Sequence, residues 1–167
     1  AYAFGAPVTN NITLVANWNP MSYDYTVNYL EHLEDGTDKV IKTAKAEAAA
    51  FGIEIKSEDE IVPIDGYEFK EANVPSLTID KNATDNVINL YYTKRSDLSY
   101  TVNYYWNGTA TPVADSKTVT GQTFGASITE SPVGVEGYTA VSADSKNITI
   151  GTGKNEINFY YYKNVTL

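Results

Sequence analysis

The chain has no cysteine and a single histidine, His32. Without cysteine there is no disulfide to staple the fold and no thiolate to attack a substrate or ligate a metal. A lone histidine anchors neither a metal set nor a nucleophilic triad, so His32 reads as a surface residue beside a turn. No Gly-x-Ser-x-Gly elbow occurs. No apolar run approaches the roughly 20 residues of a membrane-spanning helix, so membrane insertion is not expected. No signal peptide or sorting tail is visible. Positive charge is scarce as well. Lys and Arg number 12 against 21 Asp and Glu, for a net charge of −9. Most of the excess lies in residues 22–95, which hold 8 basic and 15 acidic side chains. An acidic surface repels phosphate backbones, so nucleic acid is not an expected partner.

What the chain does have is β-forming residues and tyrosine, 14 of them against five phenylalanines. Tyrosine suits half-exposed sheet faces, where the ring packs and the hydroxyl stays wet. The tyrosines also expose a repeat. Tyr25-Thr26-Val27-Asn28-Tyr29 returns as Tyr100-Thr101-Val102-Asn103-Tyr104. Further landmarks follow in the same order. Phe51-Gly52 answers to Phe124-Gly125, Asp65-Gly66-Tyr67 to Glu136-Gly137-Tyr138, and Asn86–Tyr92 to Asn155–Tyr161. The offset falls from 75 to 73, 71 and 69, so residues are lost only between landmarks, as in loops. The chain is therefore a tandem array. It divides into residues 1–21, a first unit over 22–95 and a second over 96–167. It begins inside a patterned segment and reads as a piece of something longer.

In the first unit, period-2 alternation predicts strands at 25–30, 39–46 and 87–93, with shorter ones opening at Tyr67 and at Leu77. Lys42–Ala50 is helical by composition. Its counterpart Ser116–Gly121 reads as strand followed by turn, so 39–46 is read as strand and 47–50 is left open. Residues 51–61 predict a short helix, with Ser57 as cap and Glu58-Asp59-Glu60 in its first turn. The second unit repeats the plan with strands at 100–106, 114–120, 138–141, 148–150 and 156–162. Its helix is shorter or absent, because Pro132 and Gly134 interrupt it. Within residues 1–20, Tyr2-Ala3-Phe4 and Thr13–Trp18 are strand-like, with Leu14, Ala16 and Trp18 on one face. The fold class is thus mostly β (α+β), and the order of elements resembles two tandem ubiquitin-like β-grasp modules, each a mixed sheet with at most one short helix. The resemblance implies that the first and last strands of each unit lie parallel at the sheet centre.

The ordered series resembles the MucBP repeat, the mucin-binding-protein module of Gram-positive surface proteins, over residues 22–163. The second unit carries the whole pattern: Tyr100–Tyr104, Lys117-Thr118-Val119-Thr120-Gly121, Gly137-Tyr138 and Ile157-Asn158-Phe159-Tyr160-Tyr161. The first departs at Lys42–Glu47, which lacks the Val and Gly. Residues 1–18 resemble the closing segment of an internalin-type B repeat, through Phe4-Gly5-Ala6-Pro7-Val8-Thr9 and Ile12–Trp18. The resemblance implies a non-enzymatic, extracellular, wall-attached adhesin or stalk of many modules, monomeric, with a host glycoprotein or glycan as partner. It supplies no ligand-binding residues.

A candidate ligand face follows from the strand plan. With first and last strands adjacent, Asn103 and Tyr105 lie beside Asn158 and Tyr160 on one face. The corresponding set in the first unit is Asn28 with Asn89 and Tyr91. Tyrosine rings flanked by amides suit sugars, since rings stack on C–H faces and amides bond hydroxyls. The same residues also suit ordinary cross-strand pairing on a half-exposed sheet. No cofactor is expected. The acidic stretches 34–38, 58–60 and 80–85 offer oxygen ligands for Ca²⁺ but lack the Asp-x-Asp-x-Asp-Gly spacing, so they read as solvated loops. The five Asn-x-Ser/Thr triplets, at Asn11, Asn82, Asn107, Asn147 and Asn164, read as compositional. Lys117 and Asn158 are a candidate pair for an internal isopeptide bond.

Overall fold

The computed structural model of the protein describes residues 5, 7 and 9–166. The strand-like piece Tyr2-Ala3-Phe4 lies outside the described residues. Twelve strands follow: β1 Ser22–His32, β2 Asp38–Ala50, β3 Glu54–Lys56, β4 Tyr67–Ala72, β5 Ser76–Thr78, β6 Val87–Lys94, β7 Leu98–Trp106, β8 Pro112–Gln122, β9 Ser127–Glu130, β10 Tyr138–Ala140, β11 Lys146–Thr149 and β12 Glu156–Lys163. They form two four-stranded sheets, in the orders β2-β1-β6-β4 and β10-β12-β7-β8. In each sheet the first and last long strands are parallel neighbours at the centre, β1 with β6 and β7 with β12. Each sheet carries a small two-stranded companion, β3–β5 in the first module and β9–β11 in the second.

Strand alternation builds the two cores. Tyr25, Val27 and Tyr29 of β1 face inward beside Ile88, Leu90 and Tyr92 of β6, and Ile79 closes the cluster. In the second module Tyr100, Val102, Tyr104, Ile157, Phe159 and Tyr161 do the same, with Ile150 in the place of Ile79. These tyrosines are not half-exposed, as their number suggests in the sequence. Tyr161 is 1% exposed and Tyr92 2%. Their hydroxyls bond protein instead of water, which is how a buried phenol escapes its desolvation cost. Tyr92 donates to the Val62 carbonyl at 2.9 Å, and Tyr161 to that of Val133 at 2.8 Å. Each bond pins the loop that leads into the Gly-Tyr turn.

One asparagine in each module ties the start of the sheet to its end. Asn86 Nδ2 donates to the carbonyls of Asp24 and Asp80, and its Oδ1 accepts from the Asp80 N–H. Asn155 makes the matching bonds with Ser99 and Gly151.

Local propensity loses in three places. Residues 47–50, left open by the sequence, continue β2, which pairs with β1 from Ser22↔Ala50 to His32↔Asp38. The long edge of β1 overrides the helical leaning of the alanines. The short helix expected over 51–61 is corrected to strand β3 and one 3-10 turn, Ser57–Glu60. Ser57 does not cap it, because its hydroxyl donates to the Val74 carbonyl at 2.7 Å. The strand expected at Thr13–Trp18 does not form, and Leu14 and Trp18 are exposed. Among the described residues no neighbouring strand takes up the backbone groups of this stretch, and an unpaired strand has nothing to hold it.

Candidate functional site

The central parallel pair puts every candidate ligand-facing residue where its strand register requires. Asn103 sits opposite Asn158 and Tyr105 opposite Tyr160 in the second module. In the first, Asn28 is opposite Asn89, and Tyr91 is opposite Leu30. In both modules the paired amides bond each other, Asn28 Nδ2 to Asn89 Oδ1 at 2.8 Å and Asn103 Nδ2 to Asn158 Oδ1 at 2.9 Å. An amide has two donors and two acceptor lone pairs, so one such bond leaves each pair with further capacity.

The two modules then diverge. In the second, the Tyr105 and Tyr160 rings lie 6.2 Å apart and tilted by 39°, and Tyr160 is 37% exposed. Shallow grooves of about 320 Å³ flank this ring pair. One is lined by Asn103, Tyr105, Pro112, Asp115 and Ser116. The other is lined by Val141, Asp144, Lys146 and Tyr160. In the first module Leu30 replaces the first ring and is buried. Tyr91 is committed elsewhere: its hydroxyl reaches Asp38 at 3.3 Å and its ring meets His32 edge-on. Burial, then the Asp38 carboxylate, raise the Tyr91 phenol, so it remains a donor. The first module therefore presents an amide pair with one tied tyrosine, and the second an amide pair with two rings.

Sequence reasoning missed Lys146. Its ammonium donates to the Asn158 carbonyl at 2.6 Å and sits over the Tyr160 ring at 5.6 Å. The reason lies in strand length. In the first module β4 extends far enough for Asn73 N–H to bond the equivalent carbonyl of Asn89. In the second, β10 is only three residues long, and a lysine from β11 covers the open edge of β12. Only the register of the deletion could have revealed this. His32 is at the exposed end of β1, paired with Asp38 at 2.7 Å, in keeping with a surface residue beside a turn.

A second set of polar groups recurs at the core rim. Tyr100 donates to Glu130 at 2.5 Å, and Lys117 reaches the same carboxylate at 2.6 Å. In the first module Tyr25 bonds Glu60 and Glu47, and Lys45 bonds Glu60 at 2.7 Å. The lysine, then the tyrosine, hold the Glu130 carboxyl below its ordinary value of 4.5. The native value is thus lower than the unfolded one. This stabilisation is present above pH 4.5 and is lost as pH falls through the lowered native value. Melting temperature should therefore drop on the acid side, and Glu130→Gln should flatten that drop. A scan of melting temperature between about pH 6 and pH 2 checks this; parallel curves for the two proteins would contradict it. The triad also occupies Lys117, while the Asn158 amide is held by Asn103. The two residues considered for an isopeptide bond are not brought together.

Among the described residues, no three metal-ligating side chains converge. Asp35, Asp80 and Asp85 of the acidic loops use their carboxylates locally, whereas Asp38 takes Tyr91 and Glu60 takes Tyr25 and Lys45 from the strands of the sheet. Asp35 accepts from the N–H and hydroxyl of Thr37, and Asp80 and Asp85 accept from Asn82.

No protein-family model and no curated protein matches the chain. Among solved structures, a type 2 repeat of the mucus binding protein MUB from Lactobacillus reuteri aligns with 84% of this chain and all of its own. The identity is 14% and the TM-score 0.30. At that level the fold description rests on the strand pairing itself.

Proposed function

We propose that this chain is a non-enzymatic repeat region of a bacterial cell-surface adhesin, and that its second module takes a host glycan or glycoprotein on the outer face of β7 and β12. The observation that carries the reading is the Tyr105–Tyr160 ring pair, set beside the Asn103–Asn158 amides and flanked by two grooves. Rings of this kind cover the C–H face of a sugar, while amides and Lys146 meet its hydroxyls. The ordered motif series that resembles mucin-binding modules supports the same reading. The same resemblance supports an extracellular, wall-attached setting, and the likeness of residues 1–18 to an internalin-type B repeat supports residues 1–21 as the closing piece of a preceding B-repeat-like module. The reading needs no metal and no cofactor.

The test is a mucin and glycan array probed with the whole chain and with its Tyr105→Ala/Tyr160→Ala variant. Loss of two aromatic contacts should weaken binding about tenfold while circular dichroism stays unchanged. A folded variant that binds as well as the parent removes the glycan face. A second reading, a stalk that spaces a distal binding domain, is favoured by the contact between modules. The Phe124 ring meets Tyr67 at 5.7 Å, and Thr152 bonds Asp65 at 2.7 Å. A parent chain that binds nothing on the array leaves this reading in place.

A further inference from the structure

The two modules meet through a joint built from landmarks of the repeat. Gly66 and Tyr67 end the first module's central turn. Arg95, in the linker, donates its N–H to the Gly66 carbonyl at 2.9 Å, and its own carbonyl accepts from Phe124 N–H at 2.9 Å. The Phe124 ring then lies on Gly66 and packs edge-on against Tyr67. A Cβ on Gly66 would overlap that ring, so glycine is required there twice, once for its positive φ of 78° and once for the approach. Thr152 closes the joint through its hydrogen bond to Asp65.

Both halves of this joint recur at the far ends of the chain. At the trailing end, Asn164 N–H donates to the Gly137 carbonyl at 2.9 Å, as Arg95 does to Gly66. Gly137 has the same φ of 78°, and Tyr138 follows it. Yet Gly137 is exposed where Gly66 is buried, and nothing lies within 4 Å of the place its Cβ would take. At the leading end, Phe51 N–H donates to the Met21 carbonyl at 2.8 Å, as Phe124 does to Arg95. Phe51 is 52% exposed, a large apolar ring that meets Tyr23 of its own module edge-on and, among the described residues, no second module. The fourth contact also has its counterparts. Glu136 stands where Asp65 stands, and Lys81 where Thr152 stands, so a carboxylate that accepts from a neutral hydroxyl in the observed joint would instead face an ammonium.

We propose that Glu136-Gly137-Tyr138 is a socket for the Phe-Gly turn of another module of this kind, and that the Phe51 end of this chain fits it. The ring of Phe51 would lie on Gly137 against Tyr138, with Lys81 beside Glu136. Knob and socket are different surfaces of one module, so the contact is head-to-tail and does not close on itself. Modules joined this way form a linear array with a fixed step. The inference stands whether or not the face of β7 and β12 takes a sugar.

The test extends the whole chain after Lys163 with a second copy of residues 21–94. The absence of native cysteine lets two introduced ones carry spin labels without background. Labels at Ser116→Cys and at Thr43→Cys of the appended copy report the new joint. Labels at Ser116→Cys and at Thr43→Cys of the first module report the observed one. Pulsed dipolar spectroscopy should give a distance peak as narrow for the new joint as for the observed one. Phe51→Ala in the appended copy should broaden only the new peak, at least about twofold, because modules without a packed interface reorient freely. Phe51 of the copy is outside its own core, so this variant folds; Gly137→Val is the reciprocal test from the socket side. A broad peak in the parent, or a narrow one that ignores Phe51→Ala, overturns the proposal.

Discussion

Asn86→Ala should unfold the first module and leave the second folded. Asn86 is fully buried, and its amide makes three hydrogen bonds, to the Asp24 carbonyl at 3.0 Å, the Asp80 carbonyl at 2.8 Å and the Asp80 N–H at 2.9 Å. Alanine removes the amide but not its partners. Three backbone groups then lose a partner inside a region that water enters poorly, and each such loss costs its own desolvation. The sum is about 4 kcal/mol. A module of roughly 70 residues has little stability to spare above that. The two cores share no buried residue, so the damage should stay local. Amide correlation spectra would show dispersed peaks lost from residues 22–94 and retained from 98–163. Asn155→Ala removes the same three bonds in the second module, but Asn155 is only half-buried, so water replaces part of the loss. Its effect should be clearly smaller. Equal effects from the two substitutions would mean that burial does not set the cost.

Phe159→Ala should damage the second module about as severely. Phe159 is 3% exposed and sits at the centre of β12, with the Tyr104 ring stacked 6.3 Å away at 13°. Removing the ring forfeits its transfer free energy and leaves a cavity bounded by strands that cannot close it, a loss of about 4 kcal/mol. Leucine occupies this position in the first module as Leu90, itself fully buried opposite Tyr29. Phe159→Leu should therefore be far milder than Phe159→Ala, since it restores the side chain the sister module already uses. Urea titration followed by near-ultraviolet circular dichroism checks the order of the two variants. A Leu variant as unstable as the Ala variant would show that the modules' cores are not interchangeable.

Much of this was legible from the order of the landmarks. The parallel centre was implied by the resemblance of the strand order to the β-grasp plan, and it explains why Tyr25–Tyr29 and Asn86–Tyr92 are the best-repeated pieces, since a central strand is constrained on both edges. Lys42–Ala46 became readable only through its counterpart, and 47–50 stayed open, since alanines carry a helical bias that only the edge of β1 overrides. Alternation put Asn103 with Tyr105 and Asn158 with Tyr160 on one face of their strands, and the β-grasp plan set the two strands side by side.

Other features carry no local signal. The depth of Tyr92 and Tyr161 depends on loops that bring the Val62 and Val133 carbonyls to their hydroxyls. Lys146 guards β12 only because β10 is short. The helix expected after Phe51 failed on tertiary grounds: β3 and β5 pair across Ile55 and Leu77, and that bridge takes residues 54–56 away from any helix. Ile12–Trp18 has the alternation of a strand but no partner strand among the described residues, and period alone does not supply one.

Each module is centred on its own first and last strands, running parallel. Long-range backbone NOEs in the whole chain test it most directly. The expected pattern joins Val27 to Ile88 and Val102 to Ile157 with parallel-strand contacts, and joins no residue of 22–32 to any of 156–163. Antiparallel contacts between these strands, or contacts that exchange strands between the two halves, would contradict it.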